Sequence, residues 1–316
     1  MNYQHHFSTR QFYTLDVFTE QIFGGNPLAV FPEAEGLSDE KMQTIAQELN
    51  LSETVFVLPT EQADCDYKLR IFTPRAEIPF AGHPTVGTAY LLAHLGLIQP
   101  LTNKVNFQEG VGKVPVVIDW AENTVKNTAL RVAQFPEFSP LPESLSQPLE
   151  CVELFSSLLN LNPADLPPNL LPEVISCGLP FLYLPLKNLD ALNRCSLNLS
   201  VWQQCLEHTD AAHVYPFVVT GEYTIYARMF APELGITEDP ATGSAATSLA
   251  GYLYKYFPRK KPTEIWQIHQ GIQMGRPSQL TLQITANNRK ISRISVGGAS
   301  VLVSTGRMSV SAMLGH

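Results

Sequence analysis

Apolar residues recur along this chain with two different periods, and each period predicts its own kind of element. After Ser38, a residue type that caps helices, Met42, Ile45, Ala46 and Leu49 fall at i, i+3, i+4 and i+7, the stripe of an amphipathic surface helix. Short apolar or alternating runs bounded by Gly, Pro, Asn and Asp read as strands: TLDVF, LAVF, TVFVL, KLRIF, VPVVI, PFLYLPL, HVYPFVV, IYARMF, LTLQI, ISVGG and SVLVS. Two segments fit neither pattern. Thr85 to Leu95 and Ser244 to Phe257 are apolar or small on nearly every face, which a helix needs when it is enclosed on all sides. The pattern therefore predicts an α+β fold in which mixed or antiparallel sheets wrap around two central helices.

The strings also repeat. Arg70-Ile71-Phe72-Thr73-Pro74 is echoed by Arg228-Met229-Phe230-Ala231-Pro232 at an offset of 158, half the chain length of 316. Upstream, Gly25-Asn26-Pro27 matches Gly178-Leu179-Pro180 at 153; downstream, Gly110 matches Gly271 at 161. Between them GHPTVGTAYLL and GSAATSLAGYL occupy equivalent places, again at 161. Ordered agreement at four sites favours a duplicated domain, with the functional site expected between the halves. Eight prolines between Phe135 and Pro172 (136, 140, 142, 148, 163, 167, 168 and 172) place the crossover nearby, while LECVELFSSLLN within it can still form a helix. The expected halves are 1–128, with a C-terminal strand returning at about 305–316, and 129–304. Hinges are expected near Val125 to Gln134 and near the C-terminal strand, where Ser300 to Ser304 is expected to return toward the first half.

Composition narrows the function. With 45% apolar and 16% charged residues the chain can bury large cores, and 316 residues exceed the roughly 250–300 at which one core stops growing. A net charge of −8, with no basic run longer than Arg259-Lys260-Lys261, argues against nucleic acid and anionic membranes. No apolar stretch reaches the roughly 18–20 residues of a membrane helix, and the N-terminus lacks the pattern of a signal peptide, so the expected location is cytoplasmic. Five cysteines without a C-x-x-C pair fit reduced thiols, and eight histidines without ligand spacing imply no metal.

Candidate chemistry gathers at two polar turns. Ala81-Gly82-His83-Pro84-Thr85 and Glu238-Asp239-Pro240-Ala241-Thr242-Gly243-Ser244 each open a central helix, and a helix N-terminus offers unpaired N–H groups and partial positive charge to an anion. Ordinary capping explains either turn alone, since Asp, Ser, Thr and Gly are the usual caps. Gly82-x-x-x-x-Gly87 is followed by Thr88, so it is not a nucleotide-binding Walker loop. Glu53 enters an apolar strand in LSETVF, where desolvation can raise its pKa toward the range useful for proton transfer. Taken singly, Glu53 also reads as a solvated carboxylate, His83 as a cap or core residue and Asp239 as a turn former.

The strings FGGNPLAVF, LSETVF, IFTPRAEIPFAGHPTVGTA, QEGVG, MFAPELGITEDPATGSAA and HQGIQMGRPS, in this order across residues 12 to 305, resemble the PhzF (phenazine biosynthesis-like) family. The resemblance implies a diaminopimelate-epimerase-like fold of two pseudo-symmetric halves. It also implies Glu53 as general acid/base, with His83, Asp239 and Ser244 as further catalytic residues. Substrate anions would be bound around Gly82, Thr242 and Gly243. Family members work without a cofactor, and the best understood one moves a proton between carbons of a cyclic dihydro-hydroxyanthranilate. Racemases of the wider superfamily carry a Cys at each helix N-terminus; here those turns hold His83 and Ser244, which disfavours two-thiol chemistry.

The expected function is thus a cofactor-independent isomerase acting on a small carboxylate-bearing unsaturated substrate, with a homodimer as the expected assembly. The alternative is a metabolite-binding or protein-interaction module without turnover on the same fold.

Overall fold

Ser38 begins the first helix as its sequence implies, its hydroxyl accepting the Lys41 N–H at 3.2 Å, and Met42, Ile45 and Ala46 are the residues that helix buries. The computed structural model describes residues 8–132, 134–142, 145, 151–258, 260–288 and 290–310. Pro148, Leu149, Glu150, Arg259 and 311–316, on which some of the expectations above fall, lie outside them. The chain divides into two units, Met1–Leu130 with Ala299–His316, and Arg131–Gly298.

The first unit contains β1 (Thr9–Val17), β2 (Asn26–Phe31), α1 (Asp39–Leu49), β3 (Glu53–Leu58), β4 (Tyr67–Phe72), β5 (Glu77–Ile78), α2 (Gly82–His94), β6 (Lys104–Glu109), β7 (Gly112–Ala121) and β8 (Thr124–Arg131). The second contains β9 (Glu137–Ser139), α3 (Cys151–Leu158), β10 (Glu173–Ser176), β11 (Pro180–Pro185), α4 (Leu189–Arg194), α5 (Leu199–Cys205), β12 (Val214–Val219), β13 (Thr224–Ala227), α6 (Gly243–Tyr256), β14 (Thr263–Gln270), β15 (Ser278–Asn287) and β16 (Lys290–Gly298). The last strand, β17 (Ser300–Ser309), returns to the first unit.

The duplication is visible in the pairing. The first unit runs β17-β1-β2-β3-β4-β6-β7-β8, with β5 beside the end of β4. The second runs β9-β10-β11-β12-β13-β14-β15-β16. In both, only the third and fifth pairings are parallel: β2–β3 and β4–β6 in one, β11–β12 and β13–β14 in the other. Each mixed sheet curls far enough for strands near both its ends to touch the enclosed helix. Helix α2 packs on β1, β2, β3, β7 and β17, and α6 on β9, β10, β11, β15 and β16. The two apolar helices of the sequence are therefore the two unit cores. Nearly every residue of α2 from His83 to Ala93 is buried, as is nearly every residue of α6 from Gly243 to Leu253.

The structure corrects several boundaries. The 305 bound moves back to Ser300, where the return of Ser300 to Ser304 is also expected, because SVLVS pairs with the first strand from Val17↔Ser300 onward, and Ala299 O already accepts Phe18 N–H at 2.8 Å. Much of the stretch expected to hinge, 125–134, is strand β8. IYARMF is not one strand: β13 stops at Ala227, Arg228 turns to Glu238, and Phe230 returns only as an isolated bridge to Val214. No helix among the described residues is long and apolar enough to cross a membrane.

Close helix-to-sheet approach makes Gly87 sensitive. A Cβ there would lie 2.6 Å from Val17 Cγ2 and 2.7 Å from Leu28 Cδ2, too close without repacking the wall of the core. Gly87→Val is expected to lower stability by about 1–3 kcal/mol, the usual cost of overpacking, as measured by urea unfolding.

Candidate active site

Glu53 owes its position to the way α1 ends. Asn50 adopts a left-handed conformation (φ 48°) and its N–H closes the helix on Ala46 O at 3.1 Å, so the chain turns at once into β3, whose first residue is Glu53. There it pairs with Leu28 of β2 in parallel register. The side chain is only 14% exposed, and its Oε2 receives no hydrogen bond from the protein. That oxygen faces His83 Nε2 at 3.3 Å, the imidazole being 8% exposed. Burial, partly offset by a hydrogen bond with Ser52, lifts the Glu53 pKa from 4.5 to about 7. A change of that size disfavours the charged form by about 3 kcal/mol.

His83 sits on the first turn of α2, and the approach to that turn is held from two sides. Arg70 of β4 forks onto Glu77, Nε to Oε1 at 2.7 Å and Nη2 to Oε2 at 2.6 Å, and also binds Asp39 at the start of α1. From the other side, Gly110 lets the β6–β7 turn press on Pro79: a Cβ at 110 would lie 2.7 Å from Pro79 Cα. The N-cap residue, Ala81, supplies no side-chain cap. Inside the turn, Thr85 Oγ1 lies 2.7 Å from Ala81 O and 2.8 Å from Oε1 of Glu109, the last residue of β6. Glu109 is 6% exposed and its Oε2 has no partner. Burial, partly offset by Thr85, pushes its pKa up to about 8.

The second unit repeats the construction with different side chains. Arg228 forks onto Glu238, Nε to Oε1 at 2.8 Å and Nη2 to Oε2 at 2.7 Å, and Gly271 presses on Pro240 as Gly110 does on Pro79. Asp239, 8% exposed, follows the clamped glutamate, and its Oδ2 accepts the Thr242 hydroxyl at 2.5 Å. Thr242, the N-cap of α6, is thereby occupied and makes no side-chain cap. Gln270, the last residue of β14, donates Nε2 to Asp239 O at 2.8 Å and to Thr242 Oγ1 at 2.9 Å. Its Oε1 accepts Thr242 N–H at 3.3 Å and Tyr215 O–H at 3.2 Å. Gly243 is buried and Ser244 half-buried on the first turn of α6.

The structure thus brings Glu53, Gly82 and His83 together at the N-terminus of α2, and Asp239, Thr242, Gly243 and Ser244 together at that of α6. The ordinary capping weighed for these turns is not what the side chains do. Sequence reasoning missed Glu109, Gln270 and the two arginine–glutamate clamps. The signal was present, since Glu77 and Glu238 share the offset of 161 with Glu109 and Gln270. Cys65, Cys177, Cys195 and Cys205 are free thiols. Burial pushes Cys177 and Cys195 up to about 11, which leaves them inert near neutral pH. Among the described residues no three His, Cys, Asp or Glu side chains gather as a metal would require.

Residues 15–306 match the family model PhzC-PhzF, phenazine biosynthesis-like protein, and the chain belongs to that family. It is 35% identical to an uncharacterised isomerase from Mesorhizobium japonicum over 96% of this chain and 99% of that one. It is 32% identical to the trans-2,3-dihydro-3-hydroxyanthranilate isomerase of Pseudomonas aeruginosa over 94% of this chain and 98% of that one. The crystal structure of a PhzF-family protein from Bacillus anthracis superposes with a TM-score of 0.84 at 28% identity, covering 95% of this chain and 99% of the other.

The burial of Glu53 has a thermodynamic signature. Because its folded pKa lies above the value of 4.5 expected when unfolded, the stability tied to its protonated form is complete below 4.5 and is lost as pH rises through about 7. Glu53→Gln, which cannot ionise, should gain on the wild type across that window by about 2–3 kcal/mol and hold the gain at higher pH, as read from denaturant unfolding at fixed pH values.

Proposed function

We propose that the chain is a cofactor-independent isomerase that moves a proton within a small carboxylate-bearing unsaturated substrate, with Glu53 as the general acid/base. The observation that carries this reading is the carboxyl with a pKa of about 7, set 3.3 Å from His83 at the mouth of a helix without a side-chain cap. A group poised near the working pH can both remove and return a proton, whereas an ordinary carboxylate returns one poorly. The same residue can therefore take the proton from one carbon and deliver it to another on the same face. His83 orients the substrate or assists its tautomerisation. The candidate anion donors are the backbone N–H groups around Gly82 at the start of α2 and those around Thr242 and Gly243 at the start of α6, where Asp239 and Ser244 complete the proposed set.

The reading draws further support from family membership and from the named reaction of the P. aeruginosa relative, which is an isomerisation. The physiological substrate of this chain is left as a chemical class. Free thiols among the described residues favour the cytoplasm as its place of work.

Solvent deuterium uptake, screened over small unsaturated carboxylates, tests the proposal. The wild type should exchange one substrate hydrogen, with the rate rising as pH passes about 7 if the carboxylate acts first as base. Glu53→Gln should slow exchange by about 100- to 10,000-fold. Exchange that survives this substitution unchanged would remove Glu53 from the mechanism, and tight metabolite binding with no exchange would favour a binding module.

A further inference from the structure

We propose that Glu109 is a positioning residue that works as a neutral carboxylic acid, donating its proton to Thr85 and so holding the first turn of α2, with Gly82 and His83, in place. The inference deepens the reading of Glu53 and His83 as the reacting pair and rests on it for its functional meaning. Its test does not need a substrate.

Counting protons carries the inference. Thr85 Oγ1 lies within hydrogen-bond distance of two oxygens, Ala81 O at 2.7 Å and Glu109 Oε1 at 2.8 Å, and a hydroxyl has one proton to give. Ala81 O is a carbonyl and can only accept. Both contacts are satisfied at once only if Thr85 donates to Ala81 O while Glu109 donates to Thr85, which requires the acid form. An ionised Glu109 would instead compete with Ala81 O for the single proton, and its Oε2 would be a buried charge with no donor.

The second unit shows the same relay built with a side chain that cannot ionise. Gln270 stands 161 residues after Glu109, at the same place on the equivalent strand, before the glycine that presses on the equivalent proline. Its amide donates to Thr242 Oγ1 at 2.9 Å, and Thr242 passes its own proton to Asp239 Oδ2 at 2.5 Å. In both units, then, the strand residue gives a proton to a threonine at the start of the central helix, and the threonine gives its own onward. An amide does this at every pH, and a carboxyl does it only while protonated.

The surroundings favour the protonated form. On β4, Arg70 is engaged by Glu77 and Asp39, while Lys68 pairs in register with Gln108. On β7, Lys113 is bound to Asp64 at 2.8 Å; on α2, His83 faces Glu53, and His94 lies in the last turn. None of these charges acts appreciably on Glu109, whose pKa of about 8 is set by burial and by Thr85. Near neutral pH the acid is the dominant form. As pH passes about 8, the relay should break.

Glu109→Gln copies the solution of the second unit and is the decisive variant. Melting and unfolding of wild type and variant are compared between pH 5 and pH 9, with the amide resonance of Gly82 followed in both. The folded pKa of Glu109 lies above the unfolded value, so its stabilisation is complete below about 4.5 and is lost through about 8. The folding constant of wild type relative to Glu109→Gln should therefore fall by on the order of several hundredfold from pH 5 to pH 8. With Glu53→Gln present in both proteins to remove the neighbouring titration near 7, the Gly82 amide should titrate near pH 8 and should cease to do so when Glu109→Gln is added, a readout that bulk packing would not move. Glu109→Ala, if it folds, should lose stability at every pH while Glu109→Gln does not. A stability difference independent of pH, or a Gly82 titration near pH 8 that persists when Glu109→Gln is added to Glu53→Gln, would overturn the proposal even if Glu53 proves to be the acid/base. Loss of exchange in Glu53→Gln alongside a silent Glu109 would leave the proposed function intact.

Discussion

A helix enclosed on every side is the constraint from which the rest of each unit follows. To cover α2 and α6, each sheet must curl until strands near both its ends reach the helix, and the helix can open only at its termini. The residues at that opening are then held by a close backbone contact and by a side-chain clamp. Proline is pressed by a glycine turn, and a glutamate is clamped by an arginine. Pro79 with Gly110 and Glu77 with Arg70 do this in the first unit; Pro240 with Gly271 and Glu238 with Arg228 do it in the second. With Ala81 unable to cap and the Thr242 hydroxyl taken by Asp239, neither helix closes its mouth with an N-cap side chain. This is the geometry in which a bound anion substitutes for a cap.

Scaffold and chemistry pull in opposite directions at Glu53. A protein whose whole stability is about 5–15 kcal/mol holds a carboxyl where its charged form is disfavoured by about 3 kcal/mol. Asparagine at the end of α1 and the parallel pairing with Leu28 put Glu53 at the start of β3, where its side chain is mostly buried. The cost is local, and under the proposed function its consequence is chemical. A glutamate in water is the wrong acid at neutral pH, whereas this one is balanced between its two forms beside an imidazole.

How much of this was legible in the sequence depended on whether a signal was local or paired. The central helices were legible because apolarity on every face has one structural meaning, and α1 because its cap and its stripe agree. The duplication was legible because collinear echoes survive divergence. Strand ends were not: whether SVLVS continues ISVGG or crosses to pair with Val17 depends on a partner nearly 300 residues away, and whether Arg228 stays in its strand depends on Glu238. The apolar strand that Glu53 enters pointed to desolvation, but only the family resemblance set Glu53 and His83 apart from an ordinary solvated carboxylate and a capping histidine. Glu109, a lone carboxylate at a strand end, escaped notice, although its place in the repeat, opposite Gln270, encoded its role as a donor.

Burial at the start of β3 holds Glu53 half-protonated near neutral pH. Carbon-13 NMR of the side-chain carboxyls, with the Glu53 signal assigned by its absence in Glu53→Gln, measures this directly in the intact protein. A midpoint near 7 is the result expected. A midpoint near the ordinary 4.5 would mean that water reaches the carboxylate and that proton transfer must be assigned to another group.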